Sequence, residues 1–90
     1  MHKESWLLKL YVSGRGHLSQ KAKANLERIC QQHITHEYRI VVIDLQENPA
    51  LAREHAIVAV PMVVREAPVP IRKVVGDLSN APRILFALQL

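Results

Sequence analysis

An α/β domain with a mixed four-stranded sheet is the fold class this sequence predicts, and three observations predict it. Two β-rich runs, residues 6–13 and 38–45, bracket a stretch whose apolar positions recur at helical spacing. Two shorter β-rich runs, 60–64 and 71–75, stand on either side of Pro68-Val69-Pro70. After Ser79 the apolar pattern returns to helical spacing. At 90 residues the chain makes one domain, 1–90, and leaves no room for a second.

Each element has its own local reason. Trp6-Leu7-Leu8-Lys9-Leu10-Tyr11-Val12-Ser13 is dense in strand formers and stops at a Gly-rich turn. From Ser19, a natural helix N-cap, Ala22, Leu26, Ile29, Cys30 and Ile34 form an apolar stripe, with Lys21, Lys23, Arg28 and Gln32 around it. The unbroken run Ile40-Val41-Val42-Ile43 is the pattern of a strand buried on both faces. Strand, helix and strand in this order imply a right-handed crossover and parallel pairing. Asn48-Pro49 joins a capping residue to the imino acid favoured at the first helical position, which predicts a short helix from Pro49 to about Ala56. The runs 60–64 and 71–75 predict two antiparallel strands, ended by Gly76-Asp77. Ser79 is expected to cap a last helix that puts Ile84, Leu85 and Leu88 on one face, with Pro82 tolerated in its first turn.

Composition narrows the class of function. Hydrophobic residues are 49% of the chain and charged residues 22%, which is ordinary globular usage and argues against disorder. Aromatics are only 4%, so the core must be aliphatic. A chain of this length buries about 60–65% of its unfolded surface, which makes self-association plausible as a source of stability. No apolar run reaches the roughly 20 residues that span a bilayer, and no membrane association is expected. A single Cys30 allows no internal disulfide, and Met1-His2-Lys3-Glu4-Ser5 leads into a strand without a long apolar signal region, so a cytoplasmic location is expected. The net charge of +4 suits an acidic partner. The basic residues are spread along the chain, which argues for a protein partner and against nucleic acid.

The order βαβ, α, ββα resembles a thioredoxin-like unit, yet the turn Ser13-Gly14-Arg15-Gly16-His17-Leu18-Ser19 contains no cysteine. Thiol chemistry would need a low-pKa Cys there. Other chemistry is no better supported. His17 with Ser13 and Ser19 lacks a carboxylate placed to orient a base. Gly14-x-Gly16 lacks the later Gly and Lys of a phosphate loop. His33 and His36 would share a helix face only if the helix continued past Thr35, where it ends. Cys30 lies on the apolar stripe and reads as a core thiol. No catalytic residue, metal site or cofactor is expected.

Four segments carry a more specific resemblance: Leu8-Lys9-Leu10-Tyr11-Val12-Ser13-Gly14, Val42-Ile43-Asp44-Leu45, Asn48-Pro49-Ala50-Leu51-Ala52 and Val75-Gly76-Asp77-Leu78-Ser79. In this order and without a gap they resemble the KaiB circadian-clock family. The resemblance implies a non-enzymatic regulator that binds a KaiC-like hexameric ATPase, with a KaiA-like protein or an output histidine kinase as further partners, and a dimer or tetramer when free. It also implies that the second half of the chain can adopt an alternative, fold-switched arrangement. Lys9, Lys21, Arg65, Arg72 and Lys73 match basic positions of the family that would meet an acidic ATPase surface, where charge raises the on-rate more than the affinity. Tyr38-Arg39-Ile40 resembles the edge strand that holds the KaiA-like partner.

Five residues bear on the fold switch. Pro61 matches the proline that thioredoxin-like folds hold in cis, and cis and trans are evenly supported there. At Pro68 and Pro70 a trans bond is the stronger expectation. Ala87 and Gln89 replace the family's usual Gly and Asp, and both are better helix formers. They predict a longer-lived terminal helix. Two readings compete with the leading one: the KaiB-like N-terminal sensor domain of a clock-output histidine kinase, and a thioredoxin-fold enzyme that borrows a thiol.

Overall fold

The computed structural model describes Ser5–Leu90; Met1–Glu4, on which the signal-region argument partly rests, lie outside the described residues. The elements are β1 (Ser5–Val12), α1 (His17–His33), β2 (Glu37–Asp44), α2 (Ala50–Glu54), β3 (Met62–Ala67), β4 (Arg72–Val75) and α3 (Ala81–Leu88). The sheet order is β2-β1-β3-β4. β1 runs parallel to β2, and β3 is antiparallel to both β1 and β4, as the mixed-sheet reading required.

β1 is the central strand in composition as well as in position. Leu8, Leu10 and Val12 point to one face and pack with Ala22, Leu26, Ile29 and Cys30 of α1 and Ile84 and Leu88 of α3. On the other face Tyr11 joins Met62, Val64 and Ile57 in a smaller cluster. α1 and α3 therefore cover one side of the sheet, and the connection carrying α2 covers part of the other.

Several local expectations are corrected. β2 is an outer strand, and none of its residues is buried. Its unbroken apolar run reflects parallel pairing with β1 and not burial on both faces. α1 begins three residues earlier than a Ser19 cap would allow, because Gly16 at φ −71°, ψ −177° supplies the extended residue before the helix. Ser19 then lies inside α1, where its hydroxyl is directed at the carbonyl of Ser13 (3.4 Å). α2 spans five residues, with Pro49 already helical at its N-cap and His55 ending it; Ala56 turns away at φ 55°. α3 is capped by Asn80, whose Oδ1 accepts the Arg83 N–H at 3.1 Å, and not by Ser79, whose own N–H is taken by Asp77 Oδ1. Pro82 sits in the first turn, as expected. α1 ends at His33, so His36 does not share its helical face.

All three prolines of interest follow cis bonds, Val60-Pro61, Ala67-Pro68 and Val69-Pro70. The trans expectation at Pro68 and Pro70 is corrected: the short 68–71 connection has to return β4 beside β3 in antiparallel register. Ala87 lies within α3, whereas Gln89 is its left-handed C-cap at φ 55°, ψ 48°. Helix propensity therefore does not apply at position 89, where glycine or asparagine is favoured. Gln89→Gly is expected to stabilise the domain by about 0.5–1 kcal/mol and Ala87→Gly to destabilise it by a similar amount. Urea midpoints that move in the same direction for both would refute the assignment.

Candidate functional site

The turn after β1 is built for shape and not for nucleophilic chemistry. Gly14 sits at φ +78°, and its N–H donates to Asp44 Oδ1 at 2.8 Å, which ties the turn to the end of β2. The Gln46 N–H donates to the same oxygen, and these two bonds hold the Asp44 carboxyl below its ordinary range. A Cβ at position 14 would meet the Gln46 side-chain amide at 3.0 Å, so the close approach favours glycine as much as the dihedral does. Cys30, three turns into α1, is fully buried, and desolvation pushes its thiol up to about 12. It carries no thiolate at neutral pH. Native protein is expected to leave a thiol reagent such as dithionitrobenzoate unreacted until denaturant is added; immediate colour would contradict the burial.

The structure divides the basic residues expected to meet a partner into separate groups. Lys21 is paired with Asp77 at 3.1 Å, and hydrogen bonds from Ser79 together with this pairing hold the Asp77 carboxyl at about 2. Lys9 is paired with Glu66 at 3.1 Å. Arg65 is 3% exposed: Nη1 donates to the Leu88 carbonyl and Nη2 to the Pro70 carbonyl, both at 2.8 Å, and the guanidinium stands 5.2 Å from the Trp6 ring centroid. In this arrangement its charge is directed inward and holds α3 to the sheet. Arg72 pairs with Arg65 across β3 and β4 on the α3 side and is half-buried. Lys73 and Arg39 are exposed on the opposite face, the face that also carries Lys9.

Tyr38 and Ile40 point to the α1 side. With Val42 and the α1 residues Lys23, Glu27 and Gln31 they line a groove of about 350 Å³ along the free edge of β2. That edge offers the unpaired backbone groups that an added strand can use. The groove walls from α1 were missed in the sequence, although Lys23, Glu27 and Gln31 recur at i, i+4, i+8 and so mark one polar stripe. Tyr38, Arg39 and Ile40 thus do not form one patch: the strand alternation sends Arg39 to one face and its neighbours to the other.

Among the described residues no group of three or more His, Cys, Asp or Glu side chains converges to hold a metal ion. No helix is long and apolar enough to cross a membrane.

Fold and site together define a thioredoxin-like domain whose characteristic turn lacks the cysteine, with an open strand edge and exposed basic side chains in its place. The family model for the KaiB domain matches residues 9–90, and the chain belongs to the KaiB family. "Circadian clock oscillator protein KaiB" of Cyanothece is 40% identical over 98% of this chain and 84% of its own length. "Circadian clock protein KaiB3" of Synechocystis is 36% identical over 93% of this chain and 82% of its own. Among solved structures, the N-terminal domain of Synechococcus elongatus SasA superposes with a TM-score of 0.79 at 22% identity, covering 99% of this chain and 88% of that one. Mitochondrial thioredoxin 3 of Saccharomyces cerevisiae gives 0.70 at 19% identity over 93% and 76%. At these identities the two structures speak for the fold alone.

Proposed function

We propose that this chain acts by binding, as a KaiB-type regulator of a KaiC-like hexameric ATPase whose phosphorylation and output it modulates. The observation that carries the reading is the family match over residues 9–90 in a domain already arranged as a thioredoxin-like unit. The inert Cys30 and the cysteine-free turn are consistent with a role without thiol chemistry. The free edge of β2, with Tyr38 and Ile40 on its groove side, suits a strand from a KaiA-like protein. Exposed Lys73, with half-buried Arg72, suits an acidic patch on the ATPase. The regulator would work in the cytoplasm without a cofactor, and would self-associate as a dimer or tetramer when free. Its α3, begun by Asn80 and closed by Arg65, supports a larger population of this arrangement than in a relative with glycine at position 87.

Size-exclusion chromatography with light scattering tests the reading, on the protein alone and mixed with the KaiC-type ATPase of the same organism under ATP. Co-elution is expected, with a free mass that reports the oligomer. No complex in any nucleotide or phosphorylation state would overturn it. The alternative is an N-terminal sensor domain of a clock-output histidine kinase. The curated KaiB relatives, of whose length this chain covers 82–85%, support the KaiB-type reading.

A further inference from the structure

The two edges of the sheet are not alike. β4, at one edge, has four residues, follows closely on Pro70 and carries Arg72 and Lys73, the kind of edge that natural sheets use to discourage pairing. β2, at the other edge, has eight residues in continuous register with β1. Its centre, Ile40-Val41-Val42-Ile43, holds no charge, proline or glycine, and Val42 is 41% exposed there. A long, regular and unprotected edge is a template for another strand.

The charges of α1 decide which strand fits. As the crossover between two parallel strands, α1 runs antiparallel to β2, and Lys23, Glu27 and Gln31 border the free edge. Four residues of helix rise about 6 Å and two residues of strand about 6.6 Å, so the two elements keep step. Lys23 lies at the Val42 end, because it also lines, with Val42 and Asp44, the adjoining groove beside the 13–16 turn. Glu27 then falls beside Ile40 and Gln31 beside Tyr38. Neither Lys23 nor Glu27 makes an ion pair among the described residues. A second β2 laid antiparallel, with Val41 opposite its own equivalent, sets Ile40 against Val42 of the second copy. The two-fold axis stands perpendicular to the sheet and keeps both α1 helices on one face, so Glu27 of each copy meets Lys23 of the other. A slip of two residues one way would set Glu27 against its own equivalent, and the other way Lys23 against its own.

We propose that β2 is a self-pairing edge: two copies of this chain join their β2 strands antiparallel about Val41 into one continuous sheet, with reciprocal contacts between Lys23 and Glu27 across the seam. The contact uses the same patch on both copies, so it closes as a dimer. Backbone hydrogen bonds and the apolar side chains of Ile40 and Val42 supply the affinity. The exposed ion pairs add little to it and select the register. This is the edge offered above to a strand of a KaiA-like protein, so the dimer withholds it. That consequence rests on the functional reading, whereas the dimer itself does not.

Sedimentation of the full chain by itself, with no ATPase present, tests the dimer separately from that reading. A monomer–dimer equilibrium is expected, and diluting the ¹⁵N-labelled chain should shift the amides of residues 38–44 while those of β4 stay in place. Lys23→Glu and Glu27→Lys should each weaken the dimer about fivefold or more, because each sets like charges against one another twice across the axis. The double variant Lys23→Glu/Glu27→Lys should restore it. Equimolar mixing of the two single variants should give a heterodimer in preference to either homodimer. Arg83→Glu mixed with Glu54→Lys, exposed changes of the same net charge on α3 and α2, should show no such preference. Circular dichroism checks that each variant is folded, and if a single variant is not, the dilution shifts and the double variant still decide the matter. A chain that stays monomeric into the millimolar range would overturn the proposal, as would self-association whose shifts lie outside β2. Charge reversals without rescue, or an equal preference in the control mixture, would overturn it as well.

Discussion

Replacing Arg65 by methionine is expected to destabilise the domain by about 3 kcal/mol, through two hydrogen bonds made by a buried charged group. Methionine keeps much of the volume over Trp6 and removes the donors. The last carbonyls of a helix have no partner within the helix, and Leu88 closes α3. Arg65 Nη1 satisfies that carbonyl at 2.8 Å and sets a positive charge at the negative end of the helix dipole. Nη2 reaches the Pro70 carbonyl at the same distance, so one side chain joins β3, the 68–71 connection and α3. Arg65→Lys should recover little, because an ammonium lacks the planar fork that serves two carbonyls on different segments. Urea unfolding measures both variants, and amide exchange should show α3 losing protection before the sheet in each. A lysine variant within experimental error of the unaltered protein would show that the fork is not what holds the helix.

Leu10→Ala is expected to cost about 2–5 kcal/mol, enough to leave a domain of this size largely unfolded near body temperature. Leu10 is fully buried in the central strand, paired with Val42 on one side and Val63 on the other, with α1 above it. Neighbours on three sides cannot all collapse into the space its side chain leaves. Val42→Ala on the outer strand removes a side chain that is 41% exposed, and it should cost well under about 1 kcal/mol. Comparable midpoints for the two variants would mean that β2, and not β1, is the interior strand.

That contrast marks where reading the sequence was sufficient and where it failed. The element order, parallel β1 and β2, the antiparallel β3 and β4 and the apolar stripe of α1 were all legible, because each rests on periodicity or on a turn signal within a few residues. Burial of β2 was misread, since an apolar run looks the same on an inner parallel strand and on an outer one. The helix starts were displaced because several polar residues compete as caps: Ser79 and Asn80 both qualify, and Asp77 takes the Ser79 N–H while the Asn80 side chain faces Arg83. Asn25 gave no signal, yet its amide donates to the Asp77 carbonyl at 2.9 Å and fastens α1 to the loop after β4.

The basic residues show the same limit. Lys9, Lys21, Arg65, Arg72 and Lys73 look alike in the sequence, and folding gives each a different environment. Two are paired with carboxylates, one holds α3 from within, one is half-buried beside it, and Lys73 is exposed.

The sequence by itself determined the family, the α/β order, the aliphatic core and the absence of a cysteine from the 13–19 turn, because these depend on residue types and their short-range spacing. The tertiary structure decided which strand is exposed, which cations are available, the cis state of Pro61, Pro68 and Pro70 and the left-handed cap at Gln89. Those features depend on contacts between residues far apart in the chain: Arg65 bonds to Leu88 across 23 positions, and strand pairing assigns each side chain of β4 to a face through its partner on β3. Local propensity carries no information about such partners, so only the assembled sheet could reveal them.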